Sequence, residues 1–136
     1  MRQMERIRVL LIVPMEPPRL VEIDHTAEEL HRLVGGDIAC TYPWEDLVGL
    51  VYADDAIALG YPLNRTLFDE NGIPYDVVKG TFIIAGLGRE DFCSISDDLA
   101  AKFSERFRYP EMFLRTPDSH VICVRIGSNE PPIRLV

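Results

Sequence analysis

No stretch of the chain reaches the roughly 20 consecutive apolar residues that a bilayer-spanning helix requires, so the sequence predicts no membrane segment. The longest apolar run, residues 9–14 with their neighbours, is too short for the hydrophobic region of a signal peptide. No small-residue cleavage site follows it, and the expected location is cytoplasmic. Cysteine is scarce: Cys40, Cys93 and Cys123 are an odd, widely spaced set without a CxxC, which signals neither a disulfide framework nor a zinc site. They read as reduced, mostly buried small hydrophobes. The three histidines, His25, His31 and His120, fall on different predicted elements, and the six-residue step from His25 to His31 does not put both on one helix face. No metal site and no cofactor are expected. Positive charge is also in deficit, with 14 Lys and Arg against 22 Asp and Glu and a net charge of −8. That balance disfavours nucleic-acid binding, which needs a concentrated basic surface. It suits solubility, a basic partner, or mimicry of a nucleic-acid backbone toward a basic effector.

The chain does have enough apolar residues for a core: 47% are hydrophobic in 136 residues, which supports one domain rather than two. "RIRVLLIV" alternates and then turns continuously aliphatic, the pattern of a strand covered on both faces. The prolines of "PMEPPRL" make a connection, and "VEI" resumes as the second strand of a hairpin. In "DHTAEELHRLVGG", Asp24 or Thr26 can cap a helix, Glu29 sits three residues after Thr26, and Gly35 can stop it. "DIACTYPW" alternates again, with Ile38, Cys40 and Tyr42 on one face. Residues 47–53 and 56–59 read as a hairpin about an Asp54-Asp55 turn. Residues 61–79 read as a long, mostly irregular loop, because Pro62, Pro74 and "DENG" interrupt every period. "TFIIAGLG" is a buried strand, Ser94 or Ser96 begins a second helix with Leu99, Phe103 and Phe107 on one stripe, and "HVICVRI" is a last strand. If unpaired, that strand could pair across a two-fold axis, so a homo-oligomer is open.

The blocks "VGGDIACTYPWED", "GYPLNR", "YDVVKGTFIIAGLG" and "EDFCSISDD", in this order, resemble an uncharacterised family of small acidic proteins encoded on conjugative elements, plasmids and phages of Firmicutes. The resemblance covers about residues 7–113, with residues 114–136 as an extension. It implies a genomic setting in which proteins are often accessory factors and some neighbours resemble antirestriction or other counter-defence proteins. It implies no catalytic residues.

The candidate ligand-binding residues are Asn64, Arg65, Asp69, Tyr75 and Asp76. Arg65 offers a planar fork to a carboxylate or phosphate, Tyr75 a stacking face and Asn64 a paired donor and acceptor. The structural alternative is that Arg65 pairs internally with Asp69 or Asp76 while Asn64 binds loop backbone. Asp54-Asp55 and Asp97-Asp98 lie at a turn and a helix start, where solvation and the helix dipole account for them without catalysis. A Cys-His pair of Cys93 or Cys123 with His120 has nothing visible to lower the thiol pKa. "GLGRED" lacks the third glycine of a phosphate turn, and Glu90 and Asp91 would repel phosphate. Trp44, Tyr42, Tyr52 and Tyr61 are either core aromatics or an interface. The expectation is a single α+β domain with a largely antiparallel sheet and two packed helices. Its expected role is that of a non-enzymatic accessory protein that binds a host protein; binding a small anionic or nucleotide-like molecule and a small hydrolase are the alternatives.

Overall fold

The computed structural model describes residues 5–135. Its centre is an antiparallel sheet in the order β2 (Arg19–Asp24), β1 (Arg6–Ile12), β7 (Phe82–Leu87), β4 (Val48–Ala53), β3 (Ile38–Thr41), and the two-residue β8 (Phe92–Cys93) also pairs with β7. Strand β1 carries the packing logic. Ile7, Val9 and Leu11 point to one face and Leu10 and Ile12 to the other, and all five are buried.

Helix α1 (Ala27–Val34) covers the first face with Leu30 and Val34, against Val51, Ile83 and Ala85. It begins where Thr26 Oγ1 accepts from Glu29 N (3.1 Å) and ends at Gly35, whose φ of +77° is a left-handed stop. Helix α2 (Asp97–Arg106) covers the second face with Ala100 and Phe103, beside Phe107, Leu50, Phe82 and Ile84. Ser96 caps it by accepting from Leu99 N. The alternative cap residue, Ser94, instead accepts from Arg8 N (2.9 Å), tying the approach to the helix onto β1. Trp44 is partly buried and packs against the core, its ring tilted on Phe103 with centroids 4.5 Å apart.

The structure departs from the sequence pattern at several places. Residues 61–79 are not an irregular loop but a second sheet, the hairpin β5 (Leu63–Phe68) and β6 (Pro74–Lys79). Pro62 precedes β5, Pro74 opens β6, and "DENG" supplies the turn, so the breakers punctuate strands instead of erasing them. Residues 56–59 form no strand: Leu59 N bonds Asp55 O and Tyr61 N bonds Ala56 O, a coil of successive turns. Strand β4 pairs instead with β3 and β7. The end of the chain holds three strands where one was expected, β9 (Glu111–Arg115), β10 (Val121–Arg125) and β11 (Ile133–Arg134). Strand β10, the "HVICVRI" segment, is the centre of that sheet and has no free edge. The cysteines are not mostly buried: Cys40 is exposed, Cys93 half-buried and Cys123 buried. The α+β class holds, with two helices and antiparallel strands divided among three sheets.

Candidate functional site

The hairpin β5–β6 shares no backbone ladder with the central sheet. It packs Leu67 and Val78 into the face that α2 also covers. Its polar residues anchor the rest. Asn64 is fully buried, and its Nδ2 donates to Ile12 O (2.9 Å) and Gly80 O (2.8 Å). Arg65 is also 0% exposed; its Nη1 donates to Asn64 Oδ1 (2.8 Å), its Nη2 to Glu16 O (2.6 Å), and Nε and Nη2 together grip Phe107 O (3.1 and 3.0 Å). Phe107 is the C-cap of α2, where carbonyls lack helical partners and the helix dipole is negative. A buried guanidinium answers both needs. Burial pulls the pKa of Arg65 down, opposed by the nearby carboxylate of Glu111, and arginine keeps its charge.

Glu111 on β9 is the reciprocal element. It is buried, and its Oε1 accepts from Thr66 N (2.9 Å) and from Cys123 Sγ (3.1 Å). Burial, with that carboxylate beside it, pushes the Cys123 thiol up to about 12. Cys123 is therefore held as a thiol rather than a thiolate at neutral pH. Cys40, the exposed one, is also pushed up by burial of its sulfur environment.

The five residues singled out in the sequence do not meet in one place. Asn64 and Arg65 are interior anchors. Asp69 closes the hairpin turn, its Oδ1 accepting from Asn71 N and Ile73 N (both 2.9 Å). Tyr75 and Asp76 reach a cleft of about 320 Å³ between β6 and the β3–β4 edge of the central sheet. The internal partners expected for Arg65 were Asp69 or Asp76; the observed ones are backbone carbonyls and Asn64.

That cleft combines apolar and charged walls. Leu50, Tyr52 and Leu67 line its floor, and Ile57, 77% exposed, and Tyr75, 54% exposed, stand at its mouth. Asp54 and Asp76 line it as well, opposed by the single cation Lys79, and neither carboxylate is ion-paired among the described residues. Desolvation, then the charge of Asp76, pushes the Tyr75 phenol up, which keeps it a hydrogen-bond donor. Ile57, Val77 and Lys79 were not singled out from the sequence; the available signal was the alternation Tyr75, Val77, Lys79, which marks one face of a strand.

Other chemistry-bearing sets remain dispersed. His25 faces Glu5 and Asp91, while His120 faces Asp118. Asp97 engages Arg8. The "GLGRED" segment is a turn closed by Gly88 N donating to Asp91 O (2.8 Å). Gly86 is required there, since a Cβ would lie 2.5 Å from Ser94 O.

Residues 7–108 match the family described as a domain of unknown function, DUF3846, and the chain belongs to that family. No curated protein and no solved structure matches it. The matched region contains both helices, the central sheet and the hairpin, and ends before β9, so the β9–β11 sheet and Glu111 lie outside it.

Proposed function

We propose that this chain is a non-catalytic accessory protein of a mobile genetic element, and that it works by binding a host protein in the cleft between β6 and the β3–β4 edge. The observation that carries this reading is the exposure of Ile57 and Tyr75 at the mouth of a preformed apolar cleft. Large apolar side chains left in water around a concavity favour a partner that covers them. The two carboxylates favour a basic partner, and they repel the small anion that was the alternative ligand. Arg65, the cation that would have held such an anion, has its donors committed inside the fold. The resemblance of the sequence blocks to mobile-element proteins supplies the setting. Counter-defence is the use such binding serves.

A photo-crosslinking residue at position 57, compared with one at the exposed Leu20 on the far strand β2, tests the cleft in cells. The expected result is a discrete adduct from position 57, none from position 20, and loss of the adduct when Asp54 and Asp76 are both changed to lysine. Adducts of equal yield from both positions, or none, refute the reading. Stabilisation of the purified protein by a phosphorylated metabolite, abolished in Lys79→Ala, would instead establish the small-anion alternative.

A further inference from the structure

The cleft touches five consecutive residues of β6, Tyr75 through Lys79. Successive residues of a strand point to opposite sides, so a cavity meeting all of them runs along the strand's edge. Among the described residues that edge is free of backbone partners, because β6 is paired only with β5. The register identifies which groups face outward. Thr66 and Val77 are opposite one another, and Thr66 N–H points away from the hairpin, to Glu111. In an antiparallel ladder the two residues of such a pair both turn their N–H and C=O outward. Val77 does so on the other side, and each of its groups is held by a side chain of its own strand: Asp76 Oδ1 accepts from Val77 N (2.8 Å), and Lys79 Nζ donates to Val77 O (3.2 Å).

These two caps keep an exposed edge from pairing indiscriminately. They are also weak. Both bonds span one or two residues on an accessible strand, and a backbone partner would supply the same donor and acceptor without bending a side chain back. We infer that β6 is a strand-acceptor edge, on which an extended segment of the partner protein, alternating apolar with basic residues, adds as a further strand and displaces Asp76 and Lys79 from Val77. The inference rests on the cleft being the binding site and specifies how the partner is held.

The surroundings fit that occupant. Five residues of strand span about 17 Å, and hollows flank the strand on both sides. The cleft takes one set of alternate side chains over Leu50 and Tyr52. A second depression, of about 270 Å³ and lined by Leu63, Val121 and Leu135, takes the other. Released from Val77 N–H, the Asp76 carboxylate is free to pair with a lysine or arginine on the added strand, with Asp54 nearby. A second copy of this chain is a poorer occupant, since pairing β6 with β6 would bring together two molecules of net charge −8 and their cleft carboxylates.

The probes are hexapeptides that alternate valine with lysine or arginine, the matching glutamate peptide, and two versions of the basic peptide N-methylated at every second nitrogen, in the two possible frames. Binding is read on isotopically labelled protein by NMR, with hydrogen exchange at the Val77 amide. The expected result is that the basic peptide binds and the glutamate peptide does not, that the Val77 amide exchanges more slowly in the complex, and that methylation weakens binding at least ten-fold in one frame only. Val77→Pro, which removes an N–H not used by the β5 ladder, should abolish binding; if that variant does not fold, the two methylated frames make the same test on the unmodified protein. Equal binding of both frames refutes strand addition. So does failure of every peptide to bind, and in either case an adduct from position 57 leaves the cleft reading standing. Loss of that adduct as well removes both. Concentration-dependent dimerisation that protects the Val77 amide without peptide makes the second copy the occupant and overturns the proposal.

Discussion

Replacing Arg65 with methionine keeps most of the side chain's length and apolar stem and removes the guanidinium, and the consequence follows from what that group satisfies. Three acceptors lose their donors: Phe107 O, Asn64 Oδ1 and Glu16 O. Glu16 is exposed, so its carbonyl can turn to water. Phe107 and Asn64 are buried and cannot. A buried acceptor left without a partner costs about 1–3 kcal/mol, so the two together amount to about 4 kcal/mol, and Glu111 also loses its compensating charge. Substituting a buried charge by an apolar group is often harmless when its partners are removed too, but here the acceptors stay. For a chain of this length about 4 kcal/mol corresponds to a fall in Tm of roughly 14 °C. Calorimetry, with urea unfolding as a second probe, reads it. A fall of less than about 3 °C would show that water enters and replaces the guanidinium, and would return Arg65 to candidacy as a ligand residue.

Two further outcomes are expected. The thiol of Cys123 is held at about 12 in the folded protein, above the ordinary cysteine value near 8.5. Because the folded pKa is raised, this stabilisation is intact below about pH 8.5 and is lost as pH climbs toward 12, by about 1.4 kcal/mol per pH unit. The stability difference between wild type and Cys123→Val, from urea unfolding at pH 9 and pH 10.5, should therefore shrink by about 2 kcal/mol, and a pH-independent difference would refute the assignment. At Gly86 a Cβ would meet Ser94 O at 2.5 Å and Ser94 C at 3.0 Å, backbone atoms of the segment that carries β8 toward α2. Gly86→Ala should destabilise by about 2–3 kcal/mol, measured in the same way; a change under about 0.5 kcal/mol would mean that the segment shifts freely.

The elements that were legible in the sequence are those whose stabilising partners lie close in the chain or follow a simple period. Helix α1 announces itself through Thr26, Glu29 and Gly35, all within ten residues, and the structure uses Thr26 and Gly35 as caps. Strand β1 shows its two-faced burial in its own aliphatic run. The hairpin was hidden for the opposite reason. Its first strand, "LNRTLF", buries Asn64, Arg65 and Thr66, and a polar triplet reads as a solvated loop unless its partners are known. Those partners are 52, 42 and 45 positions away: Ile12 O, Phe107 O and Glu111. Residues 56–59 misled in the reverse sense, since an apolar run with Ile57 77% exposed is a surface feature and composition carries no sign of exposure. The cleft was half legible: Tyr75 and Asp76 were found, but Ile57 and Lys79 join them only through the packing of β6 against the β3–β4 edge.

The burial of Asn64 and Arg65 and the openness of β6 are two sides of one arrangement. A two-stranded hairpin is marginal alone in water, and β5–β6 gains no ladder from the central sheet, so it must be fixed by side chains. Asn64 ties it to the end of β1, Arg65 to the C-cap of α2, and Glu111 reaches Thr66 from the other side. Arg125, over the ring of Phe68 at 5.0 Å, adds a second tie from the β9–β11 sheet. Among the described residues the backbone-directed ties, through Asn64, Arg65 and Thr66, fall on β5, and none falls on β6. Fixing one strand through its own side chains leaves the outer edge of the other available, whereas docking the hairpin by a ladder to β3 or β4 would have consumed that edge. The two ties from the C-terminal sheet lie outside the family-matched region. A chain ending at residue 108 would therefore keep the Asn64 and Arg65 anchors while Thr66 N–H lost Glu111, and the hairpin's hydrogen exchange is the observable that should register the loss first.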